Sequence, residues 1–538
     1  MAGAATPDFP GLPMSDFSIP NVARRLLARA GVGRSAPVGI DVSRRALLGA
    51  LFVATASRAA DTGPDDARET STSSPTRVTA SERVGYLSAL LPAPEGRYLD
   101  YSRGMDEPIE RERLIDVGCN IGAIDAAIDP DRVFEPEPTV EAINAALLEA
   151  SRLGGVVKPR AIDTLRIESD LIRMQDRTIF DGSRIGDFSL SGEDRRSALE
   201  CRERQLVGVT HVRTGGNGGF HYGLRVEDSE NVCLQFATIF DRDQNGVRLS
   251  TRSRDVTVRY CDIDTGRDER GNGNRRNQHG IVAASFSGPE EHAPSGRFDI
   301  VYSTGQAYYS NRIVNGDGHS IDCHAGNVEI CGNWTDNCRY GAKFPHSANA
   351  LIHHNRFGGA RPGTPTRPTF VLRLYSANDY APGVGYECDQ LFLFANRFED
   401  NAGQQIRLDG VHGTVYLLAN EYDAEGDTVL RVSRASDTST DPRSYHGRLH
   451  LHGQDVRLSD AVRGEMAERV IAETDPRLQA LDVERMVELM NAPKNSNWRA
   501  NVRHPLPVVT RRDHGVAGAP EPTPTILDLQ VLPSPSSR

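Results

Sequence analysis

Between about residues 155 and 460, apolar and polar positions alternate in short runs that recur at a regular spacing. One set comprises Asn231-Val232, Asp255-Val256-Thr257-Val258, Asn327-Val328-Glu329-Ile330, Leu391-Phe392-Leu393 and Val415-Tyr416-Leu417. After each comes a three-residue slot, filled by Ala237-Thr238-Ile239, Cys261-Asp262-Ile263, Asn311-Arg312-Ile313, Asn333-Trp334-Thr335, Asn355-Arg356-Phe357, Asn396-Arg397-Phe398 and Asn420-Glu421-Tyr422. A further run follows each slot: Val247-Arg248-Leu249, Ile281-Val282-Ala283, Ile321-Asp322-Cys323, Ala342-Lys343-Phe344, Leu372-Arg373-Leu374, Ile406-Arg407-Leu408 and Leu430-Arg431-Val432. Period-two runs separated by turns predict an all-β chain of short strands. The slot asparagines 311, 333, 355, 396 and 420 are 22, 22, 41 and 24 residues apart, and the long step carries an insertion rich in Pro, Gly and Tyr. Such a period makes each set one rung of a solenoid, with every inward residue stacked on its equivalent in the next rung.

Helical spacing appears just before the repeats. Thr139 is a side-chain N-cap for Val140 to Leu148, and Gly154-Gly155 ends the helix before Val156-Val157 opens the first rung. Such a helix shields the exposed end of a strand stack from edge pairing. Residues 461–492, with Met466, Val470, Leu478, Leu481, Val487 and Leu489, predict helices packing near the other end. The organisation expected is a signal region at 1–60, a linker and extension at 61–137, the strand repeats at 138–460, a helical segment at 461–504 and a disordered tail at 505–538.

The strand rungs and the asparagines at one turn resemble the right-handed parallel β-helix of the pectate-lyase-like superfamily. That resemblance covers about residues 155–460 and implies an asparagine ladder through Asn311, Asn333, Asn355, Asn396 and Asn420. A buried amide at a sharp bend satisfies backbone groups of adjacent rungs. At the N-terminus, Ser43-Arg44-Arg45-Ala46-Leu47-Leu48 resembles a twin-arginine translocation signal. The apolar run Ala46 to Ala56 is about half the ~20 residues that a bilayer span needs, and small residues follow it as a cleavage site requires. Secretion or cell-surface display is therefore expected, with no membrane span after cleavage.

Composition narrows the partners. A net charge of −11 and a pI near 5.8 argue against a general nucleic-acid binder. Three lysines (Lys158, Lys343 and Lys494) stand against 59 arginines. Eight cysteines show neither CxxC nor zinc-type spacing, and five fall in apolar strand patterns, which favours buried thiols over a disulfide framework.

Strand alternation places the residues between apolar positions on the outside. Applied to every later run, it yields one external row: Arg248, Val282, Asp322, Lys343, Arg373, Arg407 and Arg431. At ~4.8 Å between rungs these form a largely cationic strip that an anionic ligand would relieve. Long turns at 264–279, 284–298, 359–369 and 375–390 flank the same strands, carrying Arg267, Arg270, Arg275, Arg276, Tyr375, Asp379, Tyr380 and Tyr386. In the superfamily this sheet floors the substrate groove.

The densest titratable cluster, Asn315 to His324, includes Asp317, His319 and Asp322; Arg339, Lys343 and His346 follow one rung on. The expected ligand is an acidic, uronate-containing polysaccharide, bound by Arg248, Arg339, His346, Arg373 and Arg407. For lyase or epimerase chemistry, Lys343 or His319 would be the base and arginines would hold the carboxylate. For hydrolysis, Asp317 and Asp322 would supply the carboxyl pair, and Gly318-His319-Ser320 with Arg339 and Lys343 faintly resembles polygalacturonase motifs, although that family's paired upstream aspartates are missing. A non-enzymatic surface or carbohydrate-binding protein is the third reading. No motif specifies a cofactor; calcium is the ion kept as a candidate. A Lys343–Asp322 pair across adjacent rungs is expected, worth under ~1 kcal/mol if exposed.

Overall fold

In the computed structural model the described residues are 85–90, 98, 100, 102–103, 109–168, 170–190, 197–215, 222–240, 245–250, 252–265, 279–283, 303–316, 318–338, 340–345, 347–358, 372–375, 389–399, 406–409, 413–422, 430–433, 447–453, 468–494 and 506–512. All belong to the second of two units, residues 78–538; the twin-arginine motif and the apolar run after it lie outside them.

Among the described residues the strands fall into three sheets, one of 13 strands and two of 10, and within the repeats successive strands visit the three sheets in turn. Every pairing is parallel, between a strand and its equivalent one rung away, as in Ala325–Cys331 against Ala348–His353. This is the right-handed parallel β-helix that the repeat implied. We call the 13-stranded sheet, which contains Ala325–Cys331, the long sheet. The sheet of three-residue strands such as Trp334–Asp336 is the narrow sheet, and the one containing His319–Cys323 is the site sheet.

Stacking in register builds the core. Ile330, Ile352, Leu393 and Leu417 follow one another along the long sheet, all fully buried. On the narrow sheet Phe357 stacks on Phe398 at 5.3 Å, and Phe398 on Tyr422 at 5.1 Å. At the turn between these two sheets runs the asparagine ladder. Asn311, Asn333, Asn355 and Asn396 each donate from backbone N and from Nδ2 to the next Oδ1, at 2.9–3.2 Å. Each Nδ2 also reaches a carbonyl of an earlier rung: Asn333 donates to Tyr308 O at 2.8 Å and Asn355 to Ile330 O at 2.8 Å. The stack runs unbroken to Asn420, and Cys261 N joins its start by donating to Asn311 Oδ1 at 3.0 Å.

The helix Val140–Leu153 closes the N-terminal end. Thr139 caps it by accepting from Ala142 N, Gly154 ends it at φ 70°, and Ile143, Leu147 and Ala150 are buried. Toward the far end the expected C-terminal helices are present, and the structure adds where they dock. Pro476–Gln479 and Val483–Met490 are helical, and they pack on the outer face of the long sheet, against Phe392, Phe394 and Tyr416. That outward row is apolar and needs cover, and the strand Val470–Ala472 extends the sheet instead. Residues 115–120 cover the same face nearer the N-terminus, where Ile115 N and Asp116 N donate to Glu329, and Cys119 N to Thr257. Seven cysteines, all except Cys388 (outside the described residues), are buried free thiols.

Candidate functional site

The site sheet places the external row where alternation predicted it. Arg248 pairs in register with Val282, Val282 with Asp322, Asp322 with Lys343, Lys343 with Arg373, Arg373 with Arg407, and Arg407 with Arg431. The row also extends the other way through Arg225, Glu200 and Arg173. Its charge is less uniform than the sequence suggested. Arg225 bonds Glu227 at 2.6 Å and lies 3.5 Å from Glu200, and the Arg248 guanidinium sits over the Tyr222 ring at 5.7 Å. The unbroken run of arginine positions is Arg373, Arg407 and Arg431, whose strand positions are described but whose side chains are not. Asp317, Arg339 and His346 lie outside the described residues, as do most of the flanking turns.

On several site strands a second outward position comes first, as at His279 and His319. Tyr222-Gly223, Asn245-Gly246, His279-Gly280 and Tyr340-Gly341 repeat one motif, and His319-Ser320 varies it. Glycine is required by the close approach of the narrow sheet. A Cβ on Gly246 would lie 2.5 Å from Ile263 Cγ2, and one on Gly280 would lie 2.3 Å from Ile313 Cγ2. His279 and His319 thereby come together on neighbouring rungs, their rings stacked at 5.2 Å. The backbone N–H of His319 donates to His279 Nδ1 at 2.9 Å. In the neutral His279 ring the proton is then on Nε2, which lies 3.9 Å from Asp322 Oδ2.

Asp322 is the hub, 6% exposed. His324 Nε2 lies 3.0 Å from its Oδ1 and Lys343 Nζ donates to its Oδ2 at 3.4 Å. Burial pushes the Asp322 carboxyl up, but the charges of His324 and Lys343 and the His324 hydrogen bond outweigh burial and hold it well below the usual carboxylate range. Burial pushes His279 down to about 4 against the pull of Asp322, so it is neutral near pH 7. The Lys343–Asp322 pair is thus formed, but it is part-buried, with side-chain exposures of 15% and 9%.

Of the residues singled out from the sequence, the structure unites Asp322, Lys343 and His319, and leaves Arg248 two rungs away from Asp322. It adds His279 and assigns a contact to His324. The repeated Tyr/Asn/His-Gly pattern was the available signal for His279; the long turn before it breaks the rung period. Donor atoms of His279, His319 and Asp322 lie within 4.8 Å of one another. Two imidazoles and one carboxylate suit a transition ion better than calcium, which takes six to eight oxygens. A cavity of 340 Å³ lies elsewhere, at the first rungs, lined by Arg173, Met174, Glu200, Arg202, Glu203 and Arg204. It lacks the imidazole–carboxylate chemistry of the Asp322 cluster. Among the described residues no helix is long and apolar enough to cross a membrane.

No protein-family model and no curated protein sequence matches the chain. Among solved structures it is similar to the A-module of the Azotobacter vinelandii mannuronan C-5 epimerase AlgE4, at 13% identity and a TM-score of 0.36, covering 60% of this chain and 96% of that one. It is similar to an exopolygalacturonase from Thermotoga maritima at 10% identity and a TM-score of 0.37, over 62% and 91% of the two chains. A tailspike protein of E. coli bacteriophage HK620, in complex with a pentasaccharide, matches at 13% identity and a TM-score of 0.39, over 68% and 71%.

Proposed function

We propose that this protein is exported and acts on a uronate-containing polysaccharide by removing the proton beside the sugar carboxylate, as a lyase or an epimerase. The observation that carries this reading is the Lys343–Asp322–His324 constellation on the external row, followed by arginine positions on the next three rungs. Proton abstraction at that carbon needs a base and cations that stabilise the enolate-like state. Asp322 is too weakly basic to serve as the base while it is held ionised, so its role is positioning. It accepts from His324 Nε2–H, and when the His324 ring is neutral its Nδ1 is the proton acceptor. The charged ring that depresses Asp322 is the form after proton uptake. The Lys343 ammonium supplies positive charge for the substrate carboxylate, with Arg373 beside it in register. His319, stacked on neutral His279, is the group on the opposite side that returns a proton in an epimerase. In a lyase the C4 oxygen leaves instead, and a C4–C5 double bond forms.

Hydrolysis is the weaker reading because it needs one carboxyl protonated at working pH, and Asp322 is held well below the usual range. His279, His319 and Asp322 are 6–8% exposed, so a sugar meets the His324 and Lys343 side chains, each 15% exposed, before them. The test is incubation of the full chain with alginate, polygalacturonate and a neutral glycan in deuterated buffer. New ultraviolet absorbance from a conjugated double bond indicates elimination, and deuterium at C5 without it indicates epimerisation. Both should vanish in His324→Ala and Lys343→Met. Reducing ends without either signal, or binding without turnover, would sink the proposal.

A further inference from the structure

A second cluster of ligating side chains lies on the opposite side of the coil and takes no part in the site above. It sits on the outer face of the long sheet, where Tyr309, Cys331, His353 and Phe394 follow one another in register. Alternation aims Cys331 and His353 outward, because Ile330 and Ile352 point into the core. His354 should face the other way, but its φ of 53° places it in the left-handed region, which bends the chain and brings its ring back beside His353. The rung before carries Gly332 at that corner, also at positive φ, so no side chain crowds the ring. His353 is fixed by stacking on Phe394 at 4.6 Å and 5°.

The two Nδ1 atoms of His353 and His354 face each other at 2.8 Å. Cys331 Sγ lies 3.5 Å from His353 Nδ1, and one donor atom from each of the three residues falls within 4.8 Å of the others. Behind each imidazole stands a carboxylate. His353 Nε2 lies 3.3 Å from Glu329 Oε1 and His354 Nε2 lies 4.0 Å from Asp100 Oδ2. Glu329 is fully buried and is aimed by the backbone N–H groups of Ile115 and Asp116 and by the Tyr309 hydroxyl.

Proton bookkeeping makes this more than a polar contact. If both rings are neutral and both put Nε2–H toward their carboxylates, both Nδ1 lone pairs point at each other and at the thiol. If one Nδ1 carries a proton to bridge the 2.8 Å gap, that ring either turns a bare Nε2 lone pair toward its carboxylate or becomes a buried imidazolium paired with it. A metal cation between the two Nδ1 atoms is the alternative to a buried imidazolium: it uses both lone pairs and the thiol together and offsets the charge of Glu329 and Asp100. A histidine that ligates through one nitrogen and donates from the other to a carboxylate is the usual outer-shell arrangement of a metal site.

We propose that Cys331, His353 and His354 bind a thiophilic divalent transition ion, zinc first, and that the ion, through Asp100 and Glu329, fastens Asp100 and the Ile115–Asp116 backbone to the outer face of the coil. Tetrahedral zinc, with bonds of about 2.3 Å to sulfur and 2.05 Å to nitrogen, requires an S···N edge of about 3.6 Å and an N···N edge of about 3.3 Å. The S···N distance of 3.5 Å already fits. The N···N distance of 2.8 Å must open by about half an ångström, which a small ring rotation supplies. A thiolate with two imidazoles excludes calcium and magnesium, which prefer oxygen.

The full chain is stripped with a chelator and titrated with zinc chloride and, separately, with cobalt(II) chloride. The expected result is one equivalent of zinc per chain by elemental analysis and a rise in melting temperature. Cobalt should give a thiolate-to-cobalt charge-transfer band that Cys331→Ser abolishes and His279→Ala retains. Glu329→Gln should weaken zinc binding by ~10–100-fold while leaving all three ligands in place. Absence of bound metal, or no thiolate band in the unmutated chain, overturns the proposal and leaves a hydrogen-bonded histidine pair only; this holds even if the variants fail to fold. Binding that survives Cys331→Ser and is lost in His279→Ala also overturns it, by placing the ion at the His279–His319–Asp322 group.

Discussion

Breaking the Lys343–Asp322 pair from each side, and from both, measures whether the external row is organised or decorative. Lys343 Nζ and Asp322 Oδ2 are 3.4 Å apart, with side chains only 15% and 9% exposed. At an effective dielectric constant near 20, the Coulomb attraction at that distance is roughly 5 kcal/mol. Desolvation of both ions takes back much of it. The separation is also long for a charge-assisted bond, and Asp322 shares its charge with His324. A net coupling of about 1–2 kcal/mol remains, above the value for an exposed pair. Lys343→Met leaves Asp322 buried with His324 as its main partner, at an expected cost of about 2 kcal/mol. Asp322→Asn should cost about as much, because a part-buried ammonium then stands beside His279 and His324. The double variant should be less destabilised than the sum of the two by the coupling. Urea unfolding followed by circular dichroism supplies the four stabilities, and turnover on acidic glycan is measured alongside. A coupling below about 0.5 kcal/mol would refute the reasoning, because the ion pair would then carry no more than a surface contact.

Asn333→Ala should destabilise by about 3 kcal/mol, because it strands Asn311 N, the Tyr308 carbonyl and one hydrogen of Asn311 Nδ2, the other staying on Val258 O, in a dry turn; an unfolding midpoint within error of the parent would contradict the ladder's role. His279 sets a pH dependence. The unfolded imidazole takes a proton below its ordinary 6.5, while the folded one resists until about 4. Its contribution is therefore full above pH 6.5 and is lost as pH falls through about 4, a loss of about 3 kcal/mol across the window. His279→Gln should flatten that part of the stability–pH curve, and an unchanged slope would remove His279 as its source. Asp322 acts lower: its contribution is present above the unfolded carboxyl value and is lost as pH falls toward its depressed folded one.

Sequence alone determined whatever repeats. In a solenoid the spatial neighbour of a residue is its equivalent one rung later, so a spacing of 22 residues between Asn311 and Asn333 is already a contact. The ladder, the inward stacks, the Thr139-capped helix and the register of Arg248, Asp322, Lys343 and Arg407 were all legible for that reason. What sequence could not supply is what covers each outer face, because that depends on segments far away in the chain. Glu329 reads as an exposed strand residue until Ile115, 214 residues earlier, closes over it. Cys331 reads as another buried thiol, and the consecutive His353 and His354 should point to opposite faces; only the left-handed turn at His354 brings the three together. His279 was hidden by the long turn before it, which shifts the rung count without changing the sheet position. Only the fold put its ring against Asp322, because two strands hydrogen-bond by register and not by the number of residues between them.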